Sequence, residues 1–447
     1  MIHKFINKFR RKTKPLALST IPRDKHSISR KQINPNAIKV LYRLKNSGYQ
    51  ALLVGGCVRD ILLGLEPKDF DVATNATPEQ VRSLFGNSRT IGRRFKIVHV
   101  NFGRDTIEVA TFRASHDSEQ SNQSTAKAND HGMLVRDNVY GTLENDLSRR
   151  DFTVNAFYYD IADFSIKTVA QGLKDIETKT LRIIGDAEQR YREDPVRMLR
   201  AARFAAKLDF NIEEKTLEPI VELAPLLTKI SSARLFDESL KLLLGGQANK
   251  TFSKLSELGL IAPLFPSLKN ITEPENSYYL NFIQQALSNT DARIRQEKSI
   301  TPAFLFAALL WPEFNRQRDA LMHKGMPSAP ASQKAAQITL ADQVQHTAIP
   351  KRFSLPIKEI WDLQWRLNNR TPQKAYSLIE QARFRAGYDF LLLREQSGEN
   401  TDGLGEWWTN FQTADPTAKE KLLQASRKHA NGRLRRPRRA KRSNEPG

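Results

Sequence analysis

The sequence predicts an α+β protein: a small mixed β-sheet head, then an all-α-helical neck and body, then a disordered basic tail. Three observations carry this expectation. Short apolar runs bounded by turn signals crowd the stretch from Gln50 to Arg113, and helical periodicity dominates beyond about Asp186. The last 21 residues hold nine Lys and Arg against one acid, Glu445, too much like charge for a packed fold. Composition shifts place a basic arm at residues 1–25, the head at 26–175, the neck at 176–270, the body at 271–420 and the Arg-rich tail at 421–447. With 447 residues, 40% of them hydrophobic, the chain is long enough for about three domains with their own cores.

Each element has its own signal. The opening "MIHKFINKFRRKTKPLAL" is basic and interrupts its apolar residues every few positions, so it reads as a disordered arm or a short interfacial helix, not as a signal peptide or a membrane span. From Asn34 to Asn46, Ile38, Leu41 and Leu44 recur at helical spacing, with Gly48 as the stop. "YQALLVGG" reads as a buried strand ending in a tight turn, and "VRDILLG" as the helix leaving it. "DFDVAT", the helix "TPEQVRSLF" and the strands "IVHVNFG" and "DTIEVATFR" follow within 60 residues. His116 to Asn138 is polar and predicts a long surface loop. "DPVRMLRAARFAAKL" and "ARLFDESLKLLL" are helical, and "MPSAPASQKAAQ" reads as a linker or loop.

A net charge of +21 and a pI near 9.9 predict a polyanionic partner, nucleic acid ahead of an anionic membrane surface. Cys57 is the only cysteine, which excludes an internal disulfide and a Cys-based zinc site and fits a reducing, cytoplasmic setting.

Against that basic background stands "VGGCVRDILLGLEPKDFDVATNA". In a strand, Asp69 and Asp71 share a face, and two anions so placed repel unless a cation lies between them. Their hard oxygens suit Mg²⁺, with Mn²⁺ as the alternative, completed by water and phosphate. Gly55 and Gly56 sit between strand and helix, where bare backbone N–H groups approach a phosphate closely. Arg59 can hold a triphosphate or a strand-end carboxylate, or pair locally with Asp60. Together they predict a site for a nucleoside triphosphate and its metal.

"LVGGCVRDILLG…KDFDVATNA", "RRDFTVNAFYYD" and "YREDPVRMLRAARFAAKLDF", in this order, resemble the class II nucleotidyltransferases of the polymerase-β superfamily. That family comprises bacterial poly(A) polymerases and the enzymes that add CCA to tRNA ends. "TIGRRFKIVHVNFG", "HSISRKQI" and the Arg-rich tail are similar to the poly(A) subgroup, with a CCA-adding enzyme as the alternative. The resemblance implies template-independent addition of adenylate from ATP to RNA 3′ ends, with release of pyrophosphate and two metal ions. It implies Asp69 and Asp71 as the catalytic metal-binding pair and Asp151 as a third catalytic acid. Glu108, on one strand face with Thr106 and Ala110, is a rival third metal ligand. Arg149 and Arg150 are implied at the triphosphate and Asn155 at the sugar, with capping or bracing the fold as the alternative for any of the three. Asp194 and Arg197 are implied at the base edge, with Arg200 and Arg203 nearer the phosphates.

RNA binding is expected to be distributed. "IPKRF" at Ile349–Phe353, "WDLQWRL" at Trp361–Leu367 and "ARFRAGYDFLLLR" at Ala382–Arg394 interleave basic and aromatic residues, although Trp361 and Trp365 at i, i+4 read rather as core. Arg433, Arg435, Arg436, Arg438, Arg439, Lys441 and Arg442 supply charge without sequence choice. RNA 3′ ends and ATP are the expected partners, with RNA-decay proteins as candidates and a monomer as the expected state. A small-molecule nucleotidyltransferase has no use for such a tail, and an inert binding module has no use for both aspartates.

Overall fold

The structure, a computed structural model, describes residues 18–92, 96–114, 127–128, 134–136 and 139–433. The chain divides into two compact units with the boundary between Ile230 and Ser231. The division keeps the stretch up to Ile230 with the head, so the expected neck is split between the two units.

The first unit is built on an eight-stranded mixed sheet. Its strands are β1 (Leu18–Ile21), β2 (Ala51–Val54), β3 (Asp71–Thr74), β4 (Ser88–Ile91), β5 (Ile97–Phe102), β6 (Asp105–Thr111), β7 (Tyr158–Tyr159) and β8 (Ile166–Val169), in the order β1-β8-β7-β2-β3-β6-β5-β4. Only β3 and β6 run parallel; the other pairs are antiparallel. Strand β2 is buried at all four positions, as its unbroken apolar run dictates. Its Leu52 and Val54 pack with Ala73, Phe112, Leu147 and Tyr158 into the core. Strand β1 corrects the expected boundary of the basic arm: Leu18 to Ile21 pair with Val169 to Ile166 of β8, so backbone ladder bonds draw this end of the arm into the sheet.

Helix α1 (Pro35–Asn46) starts where Asn34 caps the N–H groups of Asn36 and Ala37, with Pro35 in the first turn. It buries Ala37, Val40, Leu41 and Leu44 and leaves Ile38 at the edge of that face. The glycine turn opens helix α2 (Gly56–Leu62), and a reciprocal Thr77–Gln80 capping box opens α3 (Pro78–Leu84). Helices α4 (Leu143–Ser148), α5 (Gly172–Glu177), α6 (Ala187–Glu193) and α7 (Val196–Leu208) follow.

The second unit is helical throughout its described residues. The segment expected as a linker is a 19-residue helix, Ser328–His346. Pro330 is tolerated because it lies in the first turn, and the small Ala331, Ser332, Ala335 and Ala336 supply the buried face. Trp361 is core, stacked on Phe314 at 4.6 Å with its Nε1 donating to the Ala307 carbonyl at 3.1 Å. Trp365 is half-buried and donates to Asp362. The expected tail begins as structure: helix Pro416–Arg433 lays Leu423 into a cluster with Trp407, Trp408 and Phe411. Among the described residues, no helix is long and apolar enough to cross a membrane.

Candidate active site

The site grows from the parallel pairing of β3 with β6, which sets Asp71 directly opposite Glu108. Asp71 opens β3 and Asp69 lies just before it, with Phe70 turned into the core between them. The aspartates therefore alternate outward around one buried ring. Burial pushes Asp71 up to about 6, and the charges of Glu108 and Asp69 push the same way against Arg150. His99, opposite Glu108 on β5, meets its carboxylate at 3.1 Å; no sequence spacing announces this partner, which only the β5–β6 register reveals.

Among the described residues, no three His, Cys, Asp or Glu side chains are gathered closely enough to hold a metal on their own. The chemistry still fits a divalent cation: the donors are hard carboxylate oxygens whose mutual repulsion raises the affinity of Asp71 for a positive charge. Two carboxylates suffice for Mg²⁺ when water and phosphate complete the shell.

Beside the carboxylates, Gly55 caps α2 with φ +78°. A Cβ there would stand 3.2 Å from Arg150 Nη1 and 3.7 Å from the Asn155 carbonyl oxygen, so the glycine is what admits the Arg150 guanidinium over the turn. Arg150 is held from behind: its Nε donates to the Tyr158 hydroxyl at 2.5 Å, its Nη1 to the Asn155 carbonyl at 3.3 Å and its Nη2 to Asp146 at 3.4 Å. Asp146, not among the residues expected from sequence, is 2% exposed and also anchors Arg149 at 2.6 Å. No motif spacing marks it; its burial beneath two arginines does.

Arg59 is 2% exposed, and its donors go to Asp60 at 2.6 and 2.8 Å and to Asn155 Oδ1 at 2.5 Å, the local pairing that the sequence offers beside a place at a triphosphate. Asn155, expected at the sugar, is itself buried between Arg59 and Asp151. Asp151 lies apart from the carboxylate pair in its partnerships: Arg200 Nε donates to it at 2.6 Å, and the Phe152 N–H at 2.8 Å. Burial would raise Asp151, but Arg200 and these hydrogen bonds bring it down to about 2. As placed, Asp151 ties the segment after α4 to α7, and Glu108 is the acid opposite Asp71.

On α7, Arg197, Arg200 and Arg203 form the expected half-buried stripe, while Met198, Leu199, Ala202 and Phe204 are buried. Pro195 precedes the first turn, and Asp194 Oδ1 accepts from the Val196 N–H at 3.4 Å. Arg197 donates to the Arg190 carbonyl at 2.7 Å and to Glu193 at 3.0 Å.

Of the expected RNA-binding segments in the second unit, most of the cations stay outside and most of the aromatics go in, while Arg394 is drawn inward onto Glu399 and Gln364. Lys351, Arg352, Arg383 and Arg385 are exposed, whereas Trp361, Phe384 and Phe390 are buried and closed to base stacking. The tail residues Arg435, Arg436, Arg438, Arg439, Lys441 and Arg442, and the side chain of Arg433, lie outside the described residues, as does most of the expected loop from His116 to Asn138.

The chain also resembles known proteins. Three family models match: the poly A polymerase head domain over residues 51–182, a probable RNA and SrmB-binding site of polymerase A over 209–272, and a polymerase A arginine-rich C-terminus over 324–443. A Poly(A) polymerase I of Salmonella typhimurium is 48% identical over 410 residues, covering 91% of this chain and 88% of the relative. A CCA-adding enzyme of Leuconostoc mesenteroides is 41% identical over only 216 residues, 48% of this chain and 51% of the relative. The solved Bacillus stearothermophilus CCA-adding enzyme in complex with CTP superposes with a TM-score of 0.54 at 26% identity, covering 90% of this chain and 94% of that one.

Proposed function

From the premise that this chain belongs to the bacterial poly(A) polymerase family and adds adenylate from ATP to RNA 3′ ends without a template, we propose how its residues share the work. Asp69 and Asp71, with Glu108 opposite, hold divalent metal, Mg²⁺ with Mn²⁺ as the alternative; when bound, it supplies charge neutralisation at the phosphates and acidifies the RNA 3′-hydroxyl. Gly55 and Gly56 let the triphosphate lie close to the main chain, and Arg150, fixed by Asp146 and Tyr158, presents its charge there. Asp151 and Asn155 act as positioning residues, the first through Arg200 and the second through Arg59. Asp194 and Arg197 read the edge of the base; protein side chains must select ATP because no template strand does. The 3′-oxygen attacks the α-phosphorus, the bond to the bridging oxygen breaks, and pyrophosphate leaves.

The observation that carries this reading is the register of Asp71 against Glu108 beside a glycine turn, with Asp71 pushed up to about 6. The test is primer extension on a generic RNA oligonucleotide with Mg²⁺ and each nucleotide singly. Long ladders with ATP alone are expected, and loss of turnover with retained fold in Asp71→Ala and Glu108→Ala. Asp151→Asn is expected to act mainly on KM for ATP. Short products confined to tRNA ends would favour the CCA-adding alternative, and full activity in Asp71→Ala would refute the site.

A further inference from the structure

We propose that Phe204 is a positioning residue for the nucleotide, a shared platform that orients three arginines drawn from two helices. The inference rests on the ATP-site reading above. The ring is 7% exposed, and three guanidiniums lie over it, Arg203 at 4.3 Å, Arg200 at 5.3 Å and Arg59 at 5.7 Å from its centroid. Phe152, in the segment that follows α4, packs edge-on at 5.9 Å and 77° and holds the ring in place.

The arrangement joins parts of the site that are distant in sequence. Arg200 and Arg203 lie on α7 with Arg197, whereas Arg59 lies on α2, which leaves the glycine turn. A polar chain runs parallel to the ring contacts: Arg200 donates to Asp151, Asn155 donates to Asp151, and Arg59 donates to Asn155. An aromatic face attracts a guanidinium without engaging its N–H donors. Phe204 can therefore fix where these arginines sit and take none of the hydrogen-bonding capacity that an anion or a base needs. Three cations brought together also repel, and the negative face of one ring offsets part of that repulsion.

The test uses the full chain, a generic RNA oligonucleotide and ATP or CTP. Phe204→Leu and a trifluorinated phenylalanine at position 204 are compared with Phe204→Tyr, Arg200→Ala and Arg203→Ala. The fluorinated ring keeps the shape and weakens the negative face, so it separates orientation from packing if the leucine variant folds poorly. Removing the cation–π attractions of Arg200 and Arg203, worth about two- to fivefold each, predicts a rise in KM for ATP of about 4- to 25-fold and a smaller ATP-to-CTP preference. The kcat and the KM for RNA should hold, and Phe204→Tyr should stay within about threefold of wild type because its ring face persists. Normal ATP KM and selectivity in the fluorinated and leucine variants, with both impaired in the arginine variants, would overturn the inference and leave the ATP site standing. Normal ATP binding in the arginine variants as well would overturn the inference alone, and the site reading falls with it only if Asp71→Ala also keeps full turnover.

Discussion

Replacing Asp146 by Asn tests whether the arginine wall of the site is held from behind. Asp146 accepts from Arg149 at 2.6 and 2.9 Å, from Arg150 at 3.4 Å, from the Arg113 N–H at 3.1 Å and from the Tyr158 hydroxyl. Burial opposes its charge, yet Arg149, Arg150 and Tyr158 together bring it down from 3.8 to about 2. At about 1.4 kcal/mol per pH unit, that shift is worth roughly 2 to 3 kcal/mol. Breaking a fully buried pair costs about 3–5 kcal/mol, but both arginines are 23% exposed, so the lower figure applies. For a unit of this size the midpoint should fall by about 4–12 °C. The folded value lies below the unfolded one, so this stabilisation is complete above about pH 4 and disappears as the pH falls through about 2. Calorimetry of the wild type and Asp146→Asn should therefore show a gap at pH 7 that closes in acid, with a raised KM for ATP in the variant. A gap under about 1 °C at pH 7, or one that persists in acid, would refute the reasoning.

Gly55→Ala places a Cβ at positive φ and 3.2 Å from Arg150 Nη1; it should cost about 1–2 kcal/mol and lower kcat/KM for ATP, measured by steady-state extension. Asp71→Asn relieves like-charge repulsion with Glu108 and Asp69, so without divalent cations it should melt higher than wild type while losing turnover; a lower midpoint would count against the carboxylate cluster. Deleting residues 434–447 removes six of the nine basic residues in the last 21 and should lower RNA affinity, flattening the logarithmic salt dependence by about 0.7 for each RNA phosphate that the shortened chain no longer neutralises. Filter binding across a salt series measures that slope, and turnover at saturating RNA should not change.

What the sequence disclosed follows from which forces act locally. Strands β2, β5 and β6 and helices α1 to α3 declare themselves through their own periodicity and caps, and the glycine turn with Asp69 and Asp71 is contiguous. Strand β1 was hidden because Leu18 to Ile21 gain their order from the ladder with β8, nearly 150 residues away in sequence. The helix Ser328–His346 was hidden because its buried face is mostly alanine, serine and threonine, with Leu340 as its one large apolar residue, and carries little hydropathy contrast. At the site, the sequence leaves Glu108 and Asp151 as rivals because their partners, Asp71 across the β3–β6 register and Arg200 on α7, are brought up only by long-range pairing. The contact between Asn155 and Arg59 was not legible because the two lie 96 residues apart and meet only where both are buried.

The single sulfhydryl has a practical bearing. Cys57 lies on α2 one residue past the glycine pair, 3% exposed, with its Sγ 3.3 Å from the Val54 carbonyl, and burial pushes it up to about 12. At neutral pH almost none of it is thiolate, the form that alkylating reagents attack. A cysteine introduced anywhere on the outside of either unit would thus be the one labelled, and pairs of such sites would report spacing by fluorescence or spin probes in the otherwise native sequence.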